Sequence, residues 1–116
     1  SAPLYSSAAS DVYKRQILAR FIDDAQTDVG VVAHNDVVAL DALSVLRSVG
    51  LESRRWIPVV GFDDTHLASR PEFDLTSVNQ QPGALVDVAL DMVAGAVRGL
   101  DHTVEPRLVV RSSSKR

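Results

Sequence analysis

The sequence contains no cysteine. That excludes disulfides, thiolate metal sites and cysteine nucleophiles, and it suits a reducing compartment, so a cytoplasmic location is expected. Aromatic residues are scarce, at 5% of 116 positions, while hydrophobic residues reach 46%. A core must then be built from Val, Leu, Ala and Ile, which suits parallel strands covered by helices. No run of about 18 apolar residues occurs, so no membrane span is expected. The first residues lack a charged start followed by an apolar segment, so no secretory signal is expected either. Basic charge is not in excess: 12 Lys and Arg stand against 15 Asp and Glu, a formal charge of −3. Gripping DNA needs clustered Lys and Arg, and this stretch is not expected to do so. The glycines, at positions 30, 50, 61, 83, 95 and 99, never form a GxGxxG or GxxxxGK[ST] loop. No serine sits in a nucleophile elbow. His34 can be drawn as a base oriented by Asp36 or Asp63, and His34, Asp36 and Asp63 as metal ligands, but no recognisable spacing supports either. Neither catalysis, a metal nor a cofactor is expected.

What is present is an alternation of helical and extended signals. Ser1 to Gln16 shows no sustained period, and Asp11-Val12-Tyr13-Lys14-Arg15-Gln16 resembles the translation of a sequencing-library adapter. Residues 1–16 are therefore expected to be a non-native leader with few contacts, and the native sequence is expected to begin near Ile17. Ile17, Leu18, Phe21, Ile22 and Ala25 recur at one-turn spacing and predict a helix over 17–26. Val29 to Ala33 predicts a strand buried on both faces. Asn35-Asp36 then opens a helix running to about Val49, closed by Gly50. Its apolar positions cover more than one face, which predicts burial on two sides, one against the sheet and one against a partner chain or another layer. Ile57 to Phe62 and Leu75 to Val78 predict two further strands. Pro82 suits the first turn of a helix extending to Gly99, with Leu85, Val86, Ala89, Leu90, Val93 and Val97 along one stripe. Arg107 to Arg111 predicts a last strand. The order is that of an α/β layered fold with a mostly parallel sheet.

Three polar clusters fall at the carboxyl ends of strands, where open parallel sheets bind ligands: His34-Asn35-Asp36, Asp63-Asp64 and Asn79-Gln80-Gln81. Carboxylates and amides there can meet the hydroxyls of sugars or nucleosides. Each also has a plainer reading. Asn35 or Asp36 caps a helix, Asp63 stabilises a turn, and Gln80 is a solvated linker residue. His66 and His102 read as isolated surface residues.

Val31-Val32-Ala33-His34-Asn35-Asp36-Val37-Val38-Ala39-Leu40, Gly50-Leu51, Pro58-Val59-Val60-Gly61-Phe62-Asp63-Asp64, Leu75-Thr76-Ser77-Val78 with Gln80, and Leu108-Val109-Val110-Arg111-Ser112-Ser113 resemble the lactose-repressor (LacI/GalR) family. They stand in that family's order and spacing, over about Ile17 to Ser114. The resemblance implies the C-terminal part of a two-lobed effector-binding sensor domain. Residues 17–78 would form the C-terminal lobe, 82–99 a helix packed mostly on the other lobe, and 106–112 the final strand. It implies a small effector, a sugar, contacted by Asn35, Asp63 and Gln80, with Asp36 as helix cap. It also implies a homodimer through helix 36–49 and the segment after Asp64, and DNA binding only through a headpiece outside this stretch. Two departures are visible: Asp41 stands where the family usually has Gly, and Glu52-Ser53-Arg54-Arg55-Trp56 replaces the usual approach to the second strand. The competing reading is part of a periplasmic sugar-binding protein of a transporter, which the closing Leu-Val-Val-Arg-Ser-Ser run disfavours. An enzyme of flavodoxin-like or Rossmann-like build is the weakest alternative, for want of a cofactor loop.

Overall fold

The computed structural model describes residues 8–99 and 101–116, without the side chains of residues 8–12. The elements in chain order are α1 (Ala8–Asp24), β1 (Val31–Val32), α2 (Asp36–Ser48), α3 (Leu51–Arg54), β2 (Val59–Phe62), a 3-10 turn (His66–Ser69), β3 (Thr76–Asn79), α4 (Pro82–Val93) and β4 (Arg107–Val109). The four strands form one sheet in the order β1-β2-β3-β4. β1 with β2 and β2 with β3 are parallel, while β3 with β4 is antiparallel. This is the expected α/β class with a mostly parallel sheet.

α2 holds the core together. Its buried stripe of Ala39, Ala42, Leu43, Val45 and Leu46 recurs every three or four residues and joins Ile22, Ala33, Leu51, Ile57, Val59 and Leu75 in the buried interior. Full burial of one such side chain contributes about 1.5–3 kcal/mol, so this stripe alone offsets much of the ordering entropy of the helix. Asn35 has extended backbone (φ −154°) and its Oδ1 accepts from Val38 N–H at 2.9 Å, so it is the N-cap. The capping residue is thus Asn35, not Asp36: Asp36 already lies in the first helical turn. Gly50 ends the helix with φ +67°, and its N–H donates to Arg47 O at 3.1 Å. The helix is buried on one side only, since Val37 and Val38 remain 63% and 41% exposed.

β1 is not buried on both faces as expected: at the edge of the sheet it leaves Val32 85% exposed, while Ala33 just beyond it turns into the core. Three helices also differ from expectation. α1 begins at Ala8 rather than near Ile17. Ala, Lys, Arg and Gln favour helix, and extending an existing helix needs no new nucleation. Of the leader expected over 1–16, residues 1–7 lie outside the described residues and 8–16 form the first half of α1. The second difference is α3, unforeseen in the Glu52–Trp56 stretch. Arg55 just beyond it donates to Ile22 O at 3.1 Å and Ala25 O at 2.9 Å, carbonyls where α1 ends. The third is α4, which stops at Val93 and does not reach Gly99. Gly95 (φ +72°) donates to Met92 O at 3.2 Å and Ala96 N to Asp91 O at 2.9 Å, the paired bonds of a Schellman ending. Two glycines could close this helix, and the first one does. No residue of α4 is buried.

The final strand is likewise shorter than 106–112. After Val109 the chain leaves the ladder and clasps the amino ends of β2 and β3. Val59 N donates to Ser113 O (2.8 Å), Ser113 Oγ to Val59 O (2.7 Å) and Thr76 N to Ser113 Oγ (2.8 Å).

Candidate functional site

The parallel register brings the carboxyl ends of β1, β2 and β3 to one edge of the sheet. Asn35 follows β1, Asp63 follows β2 and Gln80 follows β3. Asp63 and Gln80 meet directly: Gln80 Nε2 donates to Asp63 Oδ1 at 2.8 Å, and both residues are exposed. Asn35 is half-buried and locally engaged, its Oδ1 with Val38 N and its Nδ2 with His34 Nε2 at 3.1 Å. Its amide nitrogen faces a ring atom that accepts only in one tautomer of His34. The structure therefore pairs two of the three expected site residues and places the third on the same edge, without a direct bond to them.

The backbone at this edge is unusual. Asp63 and Asp64 are consecutive non-glycine residues with positive φ, at 103° and 48°. Residues held in such sparsely populated regions cost on the order of 1–3 kcal/mol each and persist where surrounding bonds over-determine them. The bonds are present. Asp63 N donates to Val78 O at 2.9 Å, and Asp64 N donates to Ser77 Oγ at 2.9 Å. Thr65 donates through N (2.6 Å) and Oγ1 (2.8 Å) to Asp36 Oδ2. Ser77 Oγ donates to Asp36 Oδ1 at 2.5 Å. Asp36 is 1% exposed and Ser77 is fully buried.

Behind the turn lies an ion pair. Arg111 Nη1 sits 2.8 Å from Asp64 Oδ1, with side chains only 16% and 11% exposed, and also donates to Leu75 O at 2.7 Å. Asn79 Nδ2 donates to Asp64 Oδ2 at 2.9 Å, while Asn79 Oδ1 accepts from Gln81 N at 2.6 Å. Asp64 Oδ2 thus accepts a hydrogen bond, while buried Oδ1 accepts none and is offset by the charge of Arg111 alone. Two rungs, Asp63–Gln80 and Asp64–Asn79, tie the turn after β2 to the segment leading from β3 into α4.

Thr65, Ser77, Asn79 and Arg111 belong to this site, although only Asn79 stands in one of the polar clusters read from the sequence. Ser77 carried a signal, being one of two adjacent hydroxyl residues, with Thr76, between Leu75 and Val78. Gly61 carried another: a Cβ there would collide with Asp36 Oδ1 and approach Leu75 Cδ2 to 3.0 Å, so the missing side chain makes room for the carboxylate. His66 and His102 are exposed, and no group of three or more metal-ligating side chains occurs among the described residues. A cavity of about 230 Å³ lies elsewhere, lined mainly by Leu18, Val31, Val32, Val38 and Val45, and none of Asn35, Asp63 and Gln80 borders it.

A family model described as a periplasmic binding protein-like domain matches residues 2–114. An uncharacterized HTH-type transcriptional regulator in the aml 5' region of Streptomyces limosus is 32% identical over 90 residues, 73% of this chain and 26% of that protein. The arabinose metabolism transcriptional repressor of Geobacillus stearothermophilus is 31% identical over 107 residues, covering 87% of this chain and 29% of that one. The HTH-type transcriptional repressor PurR of Aliivibrio fischeri is 26% identical over 97 residues, 79% and 29% of the two chains. The chain thus spans between a quarter and three tenths of these relatives' length. No solved structure matches significantly. Motif order, sheet topology and these matches agree: the chain belongs to the periplasmic binding protein-like domain family, in the form carried by LacI/GalR-type transcriptional regulators.

Proposed function

We propose that this chain is the ligand-sensing part of a transcriptional regulator and that Asn35, Asp63 and Gln80 face the hydroxyls of a small sugar. The observation that carries this reading is the exposed Asp63–Gln80 pair at the carboxyl edge of a parallel sheet. A carboxylate accepts and an amide both accepts and donates, so together they match the alternating donors and acceptors of a polyol. The name of the Geobacillus stearothermophilus relative, a repressor of arabinose metabolism, favours a sugar over other polar effectors. The regulator reading places the protein in the cytoplasm and leaves DNA contact to a separate headpiece. The acidic balance of this stretch agrees with that division. Among the described residues no helix is long and apolar enough to cross a membrane. Homodimerisation is assigned to α2 and the segment after Asp64, where Val37 and Leu67 are 63% and 40% exposed. The residues proposed for the site all fall within 17–114.

Affinity in this chain should be low. Ligand pockets bury most of a small molecule, whereas one sheet edge supplies a single wall, and a ligand must first displace Gln80 from Asp63. Arabinose titrated into 15N-labelled protein is expected to shift the Asn35, Asp63 and Gln80 signals with a dissociation constant weaker than about 1 mM. Signals moving only elsewhere, or none moving, would overturn the assignment. Micromolar binding in a calorimeter would show that one wall suffices.

A further inference from the structure

We propose that Asp36 is a positioning residue for ligand recognition: its buried carboxylate holds the Asp63–Asp64 turn in positive-φ backbone and thereby aims the Asp63 carboxylate and the Gln80 amide outward. The inference rests on the proposed role of Asp63 and Gln80 and deepens it.

Aspartate visits the left-handed region more readily than most residues, but a φ of 103° at Asp63 lies beyond it, and two positive φ values in succession are not a local preference. Something must hold them, and the bonds made at Asp64 and at the following Thr65 converge on one side chain. On the far side, Thr65 gives both its N–H and its hydroxyl to Asp36 Oδ2. Within the pair, Ser77 Oγ accepts from Asp64 N while donating its own proton to Asp36 Oδ1. A carboxylate that accepts three hydrogen bonds in a site closed to water is a rigid anchor, because charge-assisted bonds are about twice as strong as neutral ones. Asp36 is itself fixed from two directions. It occupies the first turn of α2, whose cap is Asn35, and it rests against β2 where Gly61 has no side chain. One carboxylate therefore links β2, β3, the start of α2 and the turn after β2. Asp63, immediately before these bonds, is tied to the sheet through its backbone N–H, toward Val78 O at 2.9 Å. Its side chain is left to Gln80 and solvent. Buried aspartate, strained turn and exposed aspartate form one device in which the first carboxylate sets the direction of the last.

The test compares Asp36→Asn, Thr65→Val and Thr65→Ser in the 116-residue chain with the unaltered protein. Thr65 is exposed, so its variants keep the comparison decisive if Asp36→Asn does not fold. Three-bond HN–Hα couplings report φ at residues 63 and 64, the Gln80 side-chain amide reports the Asp63–Gln80 bond, and arabinose reports recognition. Thr65→Val and Asp36→Asn are expected to move both φ values out of the positive region and to release the Gln80 amide. The initial slope of the arabinose-dependent shifts at Asp63 should then fall about tenfold, the loss expected when one charge-assisted bond is removed. Thr65→Ser, which keeps the hydroxyl, should restore all three. Unchanged couplings in Thr65→Val overturn the proposal. Altered couplings with an unchanged arabinose slope overturn it as well, since the turn would then not aim the ligand group. An unaltered protein that ignores arabinose while Thr65→Val alters the couplings sinks the sugar reading and leaves Asp36 as the anchor of the turn.

Discussion

At the scale of single residues, the site depends on a side chain that is absent. Gly61 has ordinary backbone, so its value is space alone, occupied by Asp36 Oδ1, Leu75 Cδ2 and Ala39 Cβ. Of these, the carboxylate has the least freedom to retreat, because three donors hold it. Gly61→Ala is expected to destabilise the chain by about 1–3 kcal/mol, the usual cost of overpacking a filled interior. It should also disturb the Thr65 and Ser77 signals before those of α1. Chemical denaturation compared with the unaltered chain checks the magnitude. A loss below a few tenths of a kcal/mol would mean that Asp36 moves aside without cost. At the same scale, Asn35 and Asp36 could not be ranked from sequence. Either can cap, and the choice rests on which one keeps extended backbone, a matter of where β1 releases the chain.

At the scale of elements, the C-terminal clasp is built from polar groups rather than apolar area. Ser112 N donates to Asp74 Oδ2 at 3.1 Å, and Ser113 N to Asp74 O at 3.1 Å. The Ser112 hydroxyl and backbone N–H, with some help from the Arg111 charge, hold the Asp74 carboxyl below its ordinary 3.8 against a small opposing effect of burial. A depressed carboxyl stabilises the fold above its unfolded value and loses that contribution as pH falls through the folded one. The clasp should accordingly be intact at pH 5 and above and loosen below pH 3.8. Amide exchange at Ser112 and Ser113 should accelerate in that window, and in Asp74→Asn the acceleration should vanish, because asparagine keeps an acceptor without a titrating charge. Equal acid sensitivity in Asp74→Asn would assign the effect to another group. Neither the clasp nor the Arg111–Asp64 pair is visible in the sequence. Arg111 reads there as the end of a strand, and its partner lies 47 positions away (111 minus 64).

At the scale of the whole molecule, the chain is extended. Its radius of gyration is 18.0 Å, with axes of 55 × 35 × 26 Å, against about 13 Å for a compact domain of this length. On α4, Leu85, Val86, Leu90 and Val93 are 43%, 56%, 61% and 88% exposed along one stripe. Several such side chains left in water forgo an amount comparable with the roughly 5–15 kcal/mol stability of a whole domain. Marginal stability and concentration-dependent self-association are therefore expected for the isolated chain. Leu85→Gln, Leu90→Gln and Val93→Gln together should shift its sedimentation toward monomer. A monodisperse monomer melting cooperatively above about 60 °C, near the top of the mesophile range, would show that the chain is self-sufficient.

The strands were legible as short extended runs: Val29–Ala33, Ile57–Phe62 and Leu75–Val78 contain the residues of the parallel ladders, although β1 is covered on one face only and β3 runs on to Asn79. The polar residues of the proposed binding edge were legible in outline because polar clusters ended each run. Where α1 begins and where α4 ends were not, since helix extension and the choice between Gly95 and Gly99 depend on propensities that differ by fractions of a kcal/mol. The sequence by itself determined the α/β alternation, the position of Gly50 at the end of α2, and the set of polar residues available at the sheet edge, all of them consequences of local periodicity and backbone preference. Only the tertiary structure decided that Asn35 caps while Asp36 is buried, and that Ser77, 41 positions from Asp36, bonds to it. The same holds for the strained turn that brings Asp63 against Gln80. Those outcomes arise from parallel register, which sets distant side chains within hydrogen-bond reach and supplies the many bonds that hold two aspartates in a conformation neither would adopt alone.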